Sequence, residues 1–233
     1  MNKIPGLGII IVGGGSSSRY GRGNKLFEEL EGLPVFLHSI KNFSPLADDG
    51  KLILVTPADL LAAFKERIKK HLTQADVRLV PGGACRTESV KNGLAALPPD
   101  TQIVAIHDAA RPLATGKLLF DLVQVVQNEN CGAIAAEKMI DSVCRTGVNG
   151  SIEESVPREN LWRIQTPQVF PFSAICEAYR QLGSLELTDD SAAARACGIK
   201  VKVLDNPLPN MKLTLQEDLP ILSWLLKSRS EEN

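Results

Sequence analysis

Leu7-Gly8-Ile9-Ile10-Ile11-Val12-Gly13-Gly14-Gly15-Ser16-Ser17-Ser18-Arg19-Tyr20-Gly21-Arg22-Gly23-Asn24-Lys25 decides how the rest of the chain is read. The run Leu7–Val12 is too short for a helix and apolar enough for a strand covered on both faces. It breaks into glycines, which let backbone N–H groups turn toward an anion, and into small hydroxyls, which add donors. Arg19, Arg22 and Lys25 then supply positive charge with no acid among them. A buried strand ending in a basic, glycine-rich turn reads as a polyphosphate-binding unit. Two familiar phosphate loops do not match. A Walker loop needs Gly-Lys-Ser/Thr, but Asn24-Lys25-Leu26 follows Gly23; a dinucleotide fingerprint beginning Gly13-x-Gly15 needs glycine where Ser18 stands.

Further along, Lys51–Val55, Asp76–Val80, Gln102–Ile106, Gly132–Ala136 and Lys200–Leu204 repeat the short apolar pattern and read as buried strands. Between them, Leu61, Phe64, Ile68 and Leu72 recur at helical spacing within Ala58–Leu72. Thr115 is placed to cap a helix running to about Asn128, and Thr188 one ending near Gly198. Strand–helix alternation of this kind predicts an α/β fold, a doubly wound and mostly parallel sheet. From Glu137 to Gln165 the rhythm fails. Asn149-Gly150 between Asp141–Arg145 and Ser151–Val156 predicts a hairpin that cannot bury both faces alone and is expected to pack against a partner chain, the alternative being a surface flap on a monomer. The chain is expected to be one domain, 1–233, with 137–160 as an extended arm.

Composition excludes several functions. With 26 Lys+Arg against 27 Asp+Glu, bulk positive charge cannot grip nucleic acid. No apolar run approaches the roughly 20 residues needed to cross a bilayer. Lys3 followed by Ile4–Val12 faintly imitates an export signal, but Pro5, Gly6 and Gly8 interrupt it and Gly13-Gly14-Gly15 replaces a cleavage site, so a cytoplasmic, bacterial-type protein is expected. The 5 cysteines and 3 histidines are too dispersed for a zinc framework.

In an open parallel sheet, ligands sit beyond the carboxyl ends of the strands. After the third strand come Pro81-Gly82-Gly83-Ala84-Cys85-Arg86-Thr87-Glu88-Ser89-Val90, where paired glycines permit close approach of a flat ring or sugar. After the fourth come His107-Asp108-Ala109-Ala110-Arg111-Pro112: Asp108 is placed to hold Mg²⁺ or a substrate hydroxyl, and Arg111 to clamp a phosphate, unless the two simply pair in a turn.

Taken in order, the basic glycine loop, Gly82-Gly83…Arg86…Ser89-Val90, His107–Pro112, Thr166-Pro167-Gln168 and Asn210-Met211-Lys212-Leu213-Thr214 resemble the 2-C-methyl-D-erythritol 4-phosphate cytidylyltransferase family across nearly the whole chain. The resemblance implies a Rossmann-like domain that dimerises through its arm and serves non-mevalonate isoprenoid synthesis. It also implies roles. Arg19 and Lys25 match the pair that stabilises charge on the α-phosphate of CTP. Gly13, Gly14, Gly15, Gly82, Gly83, Ser89 and Ala109 match the nucleotide cradle; Asp108, Arg111, Thr166 and Lys212 match the methylerythritol phosphate side. Ser142 and Arg158 match arm residues that reach the partner's site. Magnesium, bound with CTP, is the implied cofactor, with Asp108 its one candidate protein ligand. The similar ribitol 5-phosphate cytidylyltransferases differ in typically carrying Val where Ala110 stands and in lacking the Leu161-Trp162 pairing.

Overall fold

The computed structural model describes residues 2–14, 20–21, 23–183 and 187–231. The elements run β1 (Leu7–Val12), a 3-10 turn (Lys25–Phe27), β2 (Glu29–Leu30), β3 (Leu33–Pro34), α1 (Val35–Phe43) and β4 (Leu52–Thr56). Then come α2 (Leu61–His71), β5 (Arg78–Pro81), α3 (Arg86–Ala96), β6 (Ile103–Asp108), α4 (Gly116–Glu129) and β7 (Gly132–Lys138). The chain finishes with β8 (Val143–Thr146), β9 (Ile152–Val156), β10 (Trp162–Pro171), α5 (Phe172–Gln181), α6 (Asp190–Ala196), β11 (Val201–Asp205) and α7 (Asp218–Glu231).

Seven strands form the main sheet in the order β11-β7-β10-β6-β1-β4-β5. Because successive side chains of a strand point to opposite faces, the isoleucines of β1 serve two cores. Ile9 and Ile11 pack with Phe36, Phe43, Phe64 and Leu122 from α1, α2 and α4. Ile10 packs with Val90, Leu94, Ile175 and Ala193 from α3, α5 and α6. That double coverage is the physical content of the doubly wound fold. β1 pairs in parallel with β4 on one side and β6 on the other. The order of connection therefore reverses at β1, and the crevice beyond the ends of β1 and β6 is where ligands bind in such sheets.

The six expected strands are present, each end within two residues of its expected place. β10 was not expected. It runs antiparallel between β6 and β7 and carries an irregular register between Ile164 and Gln168, around the cis Thr166-Pro167 bond. Two helix expectations need correction. Ala58–Leu60 is a 3-10 turn preceding α2. The cap of α6 is Asp189, whose carboxylate accepts from the Ala192 N–H; Thr188 lies one residue outside. Thr115 does cap α4, accepting from the Leu118 N–H at 3.1 Å.

The hairpin stands between the end of β7 and the start of β10. Val143 lies opposite Val156, and Gly150 turns the tip with φ of 81°. Its residues contribute nothing to either core, and Ile140 and Ile152 are 73% and 70% exposed. Among the described residues no helix is long and apolar enough to cross a membrane.

Candidate active site

The glycines after β1 and β5 face each other across one hydroxyl. Gly13 is drawn onto the sheet edge by its N–H donating to the Val55 carbonyl at 2.7 Å, and Ala109 likewise by donating to Val12 at 3.0 Å. A Cβ on Gly14 or on Gly82 would lie 2.9 Å from the Ser89 Oγ. Ser89 accepts from the Gly83 N–H at 3.2 Å and donates to the Cys85 carbonyl at 3.0 Å. Gly83 has no room for a side chain, since its Cβ would fall 2.3 Å from that of Glu88. Thus Gly13, Gly14, Gly82, Gly83, Ser89 and Ala109 form one cradle of backbone with a single hydroxyl, a surface suited to a flat ring and its sugar. Gly15, Arg19 and Arg22 lie outside the described residues.

Lys25 follows Asn24, whose side-chain oxygen accepts from the Leu26 N–H at 3.0 Å and starts the 3-10 turn. The Lys25 ammonium donates to the Leu213 carbonyl at 2.8 Å. The basic loop is thereby tied to the segment carrying Asn210 and Lys212, itself anchored by the Leu213 N–H on the Ala110 carbonyl.

Beside the cradle lies a cleft of about 190 Å³ walled by Arg86, Asp108, Arg111, Thr166, Asp189 and Lys212, among others. Asp108 is its electrostatic centre. One carboxylate oxygen accepts from Arg86 Nε at 3.2 Å and the other from Lys212 Nζ at 2.7 Å. Arg111 Nε stands 4.0 Å from the second oxygen. Burial alone would raise the Asp108 pKa, but the charges of Arg86, Lys212 and Arg111 outweigh it and hold the carboxyl ionised, far below the usual range. Arg111 donates through Nη1 to the Asn210 carbonyl at 2.7 Å. Its buried Nε makes no hydrogen bond among the described residues. The turn ion pair weighed from the sequence is therefore real but loose, and Asp108 spends its oxygens elsewhere.

Behind Asp108, His107 is fully buried. Its Nδ1 meets the Thr166 hydroxyl at 3.1 Å and its Nε2 meets Ser39 Oγ at 3.1 Å and the Arg111 carbonyl at 3.2 Å. Desolvation pushes its pKa down to about 3, which leaves a neutral ring at neutral pH. The Thr166 hydroxyl also accepts from the Asp108 N–H at 3.0 Å. Thr166 thus lines the cleft while its hydroxyl is spent on the scaffold. A buried amide cluster continues from it: Asn210 Nδ2 donates to the Thr166 carbonyl at 2.8 Å and to Gln165 Oε1 at 3.1 Å.

Two residues of this cluster carry no role in the sequence, Arg86 within its glycine-rich turn and Asp190. Asp190 is fully buried and binds the Arg86 guanidinium at 3.0 and 2.7 Å. Their sequence separation hid the pair; the only local signal was two consecutive acids, Asp189-Asp190, opening a helix. Ser142 and Arg158 are not brought to the cleft of their own chain but stand exposed on the arm, where Arg158 donates to the Ile140 carbonyl. The described residues include no group of three or more His, Cys, Asp or Glu side chains able to hold a metal ion. Asp108, the expected ligand, already has cations on both oxygens.

Cradle and cation-braced cleft, side by side at the switch point of a doubly wound sheet, define an α/β enzyme acting on phosphorylated small molecules. Comparison with known proteins narrows this class. Residues 7–228 match the family model described as IspD: 2-C-methyl-D-erythritol 4-phosphate cytidylyltransferase. A 2-C-methyl-D-erythritol 4-phosphate cytidylyltransferase of Alkaliphilus oremlandii is 36% identical, with 99% of each chain covered. One from Dictyoglomus thermophilum is 34% identical, again with 99% of each covered. The crystal structure of 4-diphosphocytidyl-2C-methyl-D-erythritol synthase from Anaerococcus prevotii superposes with a TM-score of 0.80 at 27% identity, covering 95% of this chain and 98% of that one. The chain belongs to the 2-C-methyl-D-erythritol 4-phosphate cytidylyltransferase family.

Proposed function

We propose that this chain transfers the cytidylyl group of CTP to 2-C-methyl-D-erythritol 4-phosphate, releasing pyrophosphate, with the cradle holding the nucleotide and the Asp108 cleft the acceptor. The observation carrying this reading is the adjacency of the two halves. The Ala109 backbone belongs to the cradle, while its neighbours Asp108 and Arg111 belong to the cleft.

The acceptor's phosphate dianion is itself the nucleophile. An oxygen of that phosphate forms a bond to the α-phosphorus of CTP as the bond to the β-phosphate bridging oxygen breaks, and pyrophosphate carries away the electron pair. No proton needs to be removed, so a site without a general base suffices. The neutral, fully engaged His107 agrees with this. Catalysis is then positioning plus neutralisation of negative charge. Lys25, with Arg19 from the same loop, stabilises charge on the α-phosphate. Arg111 and Lys212 face the acceptor's phosphate, and Asp108 its hydroxyls. Ser142 and Arg158 reach the cleft of a partner subunit in a homodimer, which gives the exposed arm a purpose. The described residues do not fit a resident magnesium ion. Magnesium would instead arrive with the triphosphate and neutralise its phosphate charge there.

Pyrophosphate release from CTP, measured with 2-C-methyl-D-erythritol 4-phosphate and with ribitol 5-phosphate, tests the reading. Turnover with the first acceptor is expected. Turnover with ribitol 5-phosphate alone overturns it.

A further inference from the structure

Four elements contribute to a chain of contacts running inward from the cleft wall. Tyr179 on α5 donates its hydroxyl to Asp190 Oδ1 at 2.5 Å. Asp190, at the start of α6, binds both terminal nitrogens of Arg86, at the start of α3. Arg86 then offers its Nε to Asp108 at the end of β6. A guanidinium is planar and rigid, so gripping it by two nitrogens also fixes the direction of its Nε–H bond. That bond occupies one oxygen of Asp108, and Lys212 occupies the other. The plane of the Asp108 carboxylate is thus set from both sides, and one of those sides is set by Asp190.

We propose that Asp190 and Tyr179 form a positioning pair that, through Arg86, orients the Asp108 carboxylate for the hydroxyls of the acceptor. This rests on the reading of the cleft as the acceptor side. Asp190 is fully buried and Tyr179 nearly so, so neither touches substrate. Their effect is transmitted by charge and geometry. With Asp190 neutralised, Arg86 has one carboxylate left within reach and turns its terminal nitrogens onto Asp108, drawing it from Lys212. The nucleotide cradle is built from backbone around Ser89 and does not share these contacts.

The test is steady-state kinetics with both substrates varied, alongside thermal unfolding, on Tyr179→Phe, Asp190→Asn and the double variant Arg86→Gln/Asp190→Asn. Hydrogen bonds to charged groups of this kind correspond to about 10- to 100-fold in binding. Asp190→Asn is expected to raise the acceptor KM by that factor and to leave the CTP KM within about twofold, while Tyr179→Phe gives about threefold to tenfold. The double variant removes both charges of the pair together, the fully buried Asp190 and the partly buried Arg86. Its unfolding temperature is expected to recover toward wild type while the acceptor KM stays high. A pair that merely holds α6 to α3 behaves differently: the acceptor KM recovers with stability in the double variant, or both KM values and kcat decline together in step with unfolding. Either pattern, or an unchanged acceptor KM in Tyr179→Phe and the double variant, overturns the proposal. Failure of the wild-type enzyme to use methylerythritol phosphate instead overturns the substrate reading beneath it.

Discussion

The cleft and the arm are built from one chain by opposite rules. In and beside the cleft, charged and polar groups from distant segments hold one another. Lys25 reaches Leu213, Arg86 reaches Asp190, and Lys212 reaches Asp108. The arm is a two-stranded hairpin whose contacts are mostly its own and whose apolar side chains, Ile140 and Ile152 among them, face outward. An interlocked site needs no partner to keep its shape. An exposed apolar hairpin does need one, since two strands alone are marginal in water. On the function proposed above, this chain pre-organises the chemistry and the arm of a second copy completes the acceptor side.

Acid should break the cleft first. His107 is neutral when folded, with its pKa pushed down from 6.5 to about 3. The unfolded chain therefore binds a proton that the folded chain refuses between those values. Stability contributed by His107 is complete above about pH 6.5 and is lost as pH falls toward 3, on the order of 5 kcal/mol in all. Urea unfolding at a series of pH values should show this slope above the range where carboxylates titrate. In His107→Phe, less stable at neutral pH, most of the slope should vanish, with a remainder from His38, whose pKa burial also lowers.

Next in size is the loss of charge stabilisation. Lys25→Ala should cost about 3 kcal/mol of transition-state stabilisation, or about 10²–10³ in kcat, with unfolding close to wild type. Arg19→Ala is expected to match it, and near-normal turnover by either variant contradicts the assigned roles. On the arm, Arg158→Ala should cost about 10- to 100-fold in kcat/KM for the acceptor, the value of one charged hydrogen bond. Because the arm adds nothing to either core, thermal stability should not move. A fall in stability would instead make Arg158 a structural residue of its own chain. The smallest effect belongs to the cradle. Gly14→Ala places a methyl 2.9 Å from the Ser89 hydroxyl, which must shift. A rise of about tenfold in the CTP KM, with acceptor KM unchanged, is the expected kinetic signature.

Much of this was legible in the sequence because it is encoded locally. Ile9, Ile10 and Ile11, consecutive and β-branched in a short run ended by glycines, mark a strand covered on both faces, and Asn149-Gly150 specifies its turn within two residues. The cradle was legible because turn glycines sit directly after strands. β10 was not, for a physical reason. Pro167 cannot donate to a ladder, and Gln165, Thr166 and Gln168 look too polar for the middle of a sheet. The structure accommodates the proline at the register irregularity and turns the Thr166 hydroxyl to His107, the Gln165 side chain to Asn210, and the Gln168 amide to the Gln165 carbonyl and the Ser191 N–H. The Asp190–Arg86 clamp was unreadable for a different reason: it spans 104 residues and joins two helix starts that only the folded sheet brings together. The cap of α6 missed by one residue because Thr188 and Asp189 are both capping types, and only the backbone decides between them.

Mixing subunits tests the division between cleft and arm most directly. Lys25→Ala spoils the cleft of its own subunit, whereas Arg158→Ala spoils the site its arm serves. In a heterodimer of the two variants, a shared site predicts one competent cleft, made of an intact Lys25 in one protomer and an intact Arg158 from its partner. Pyrophosphate release should therefore reappear on mixing two variants that are each severely impaired. Verified heterodimers no more active than their parents would contradict the account and return Arg158 to its own chain.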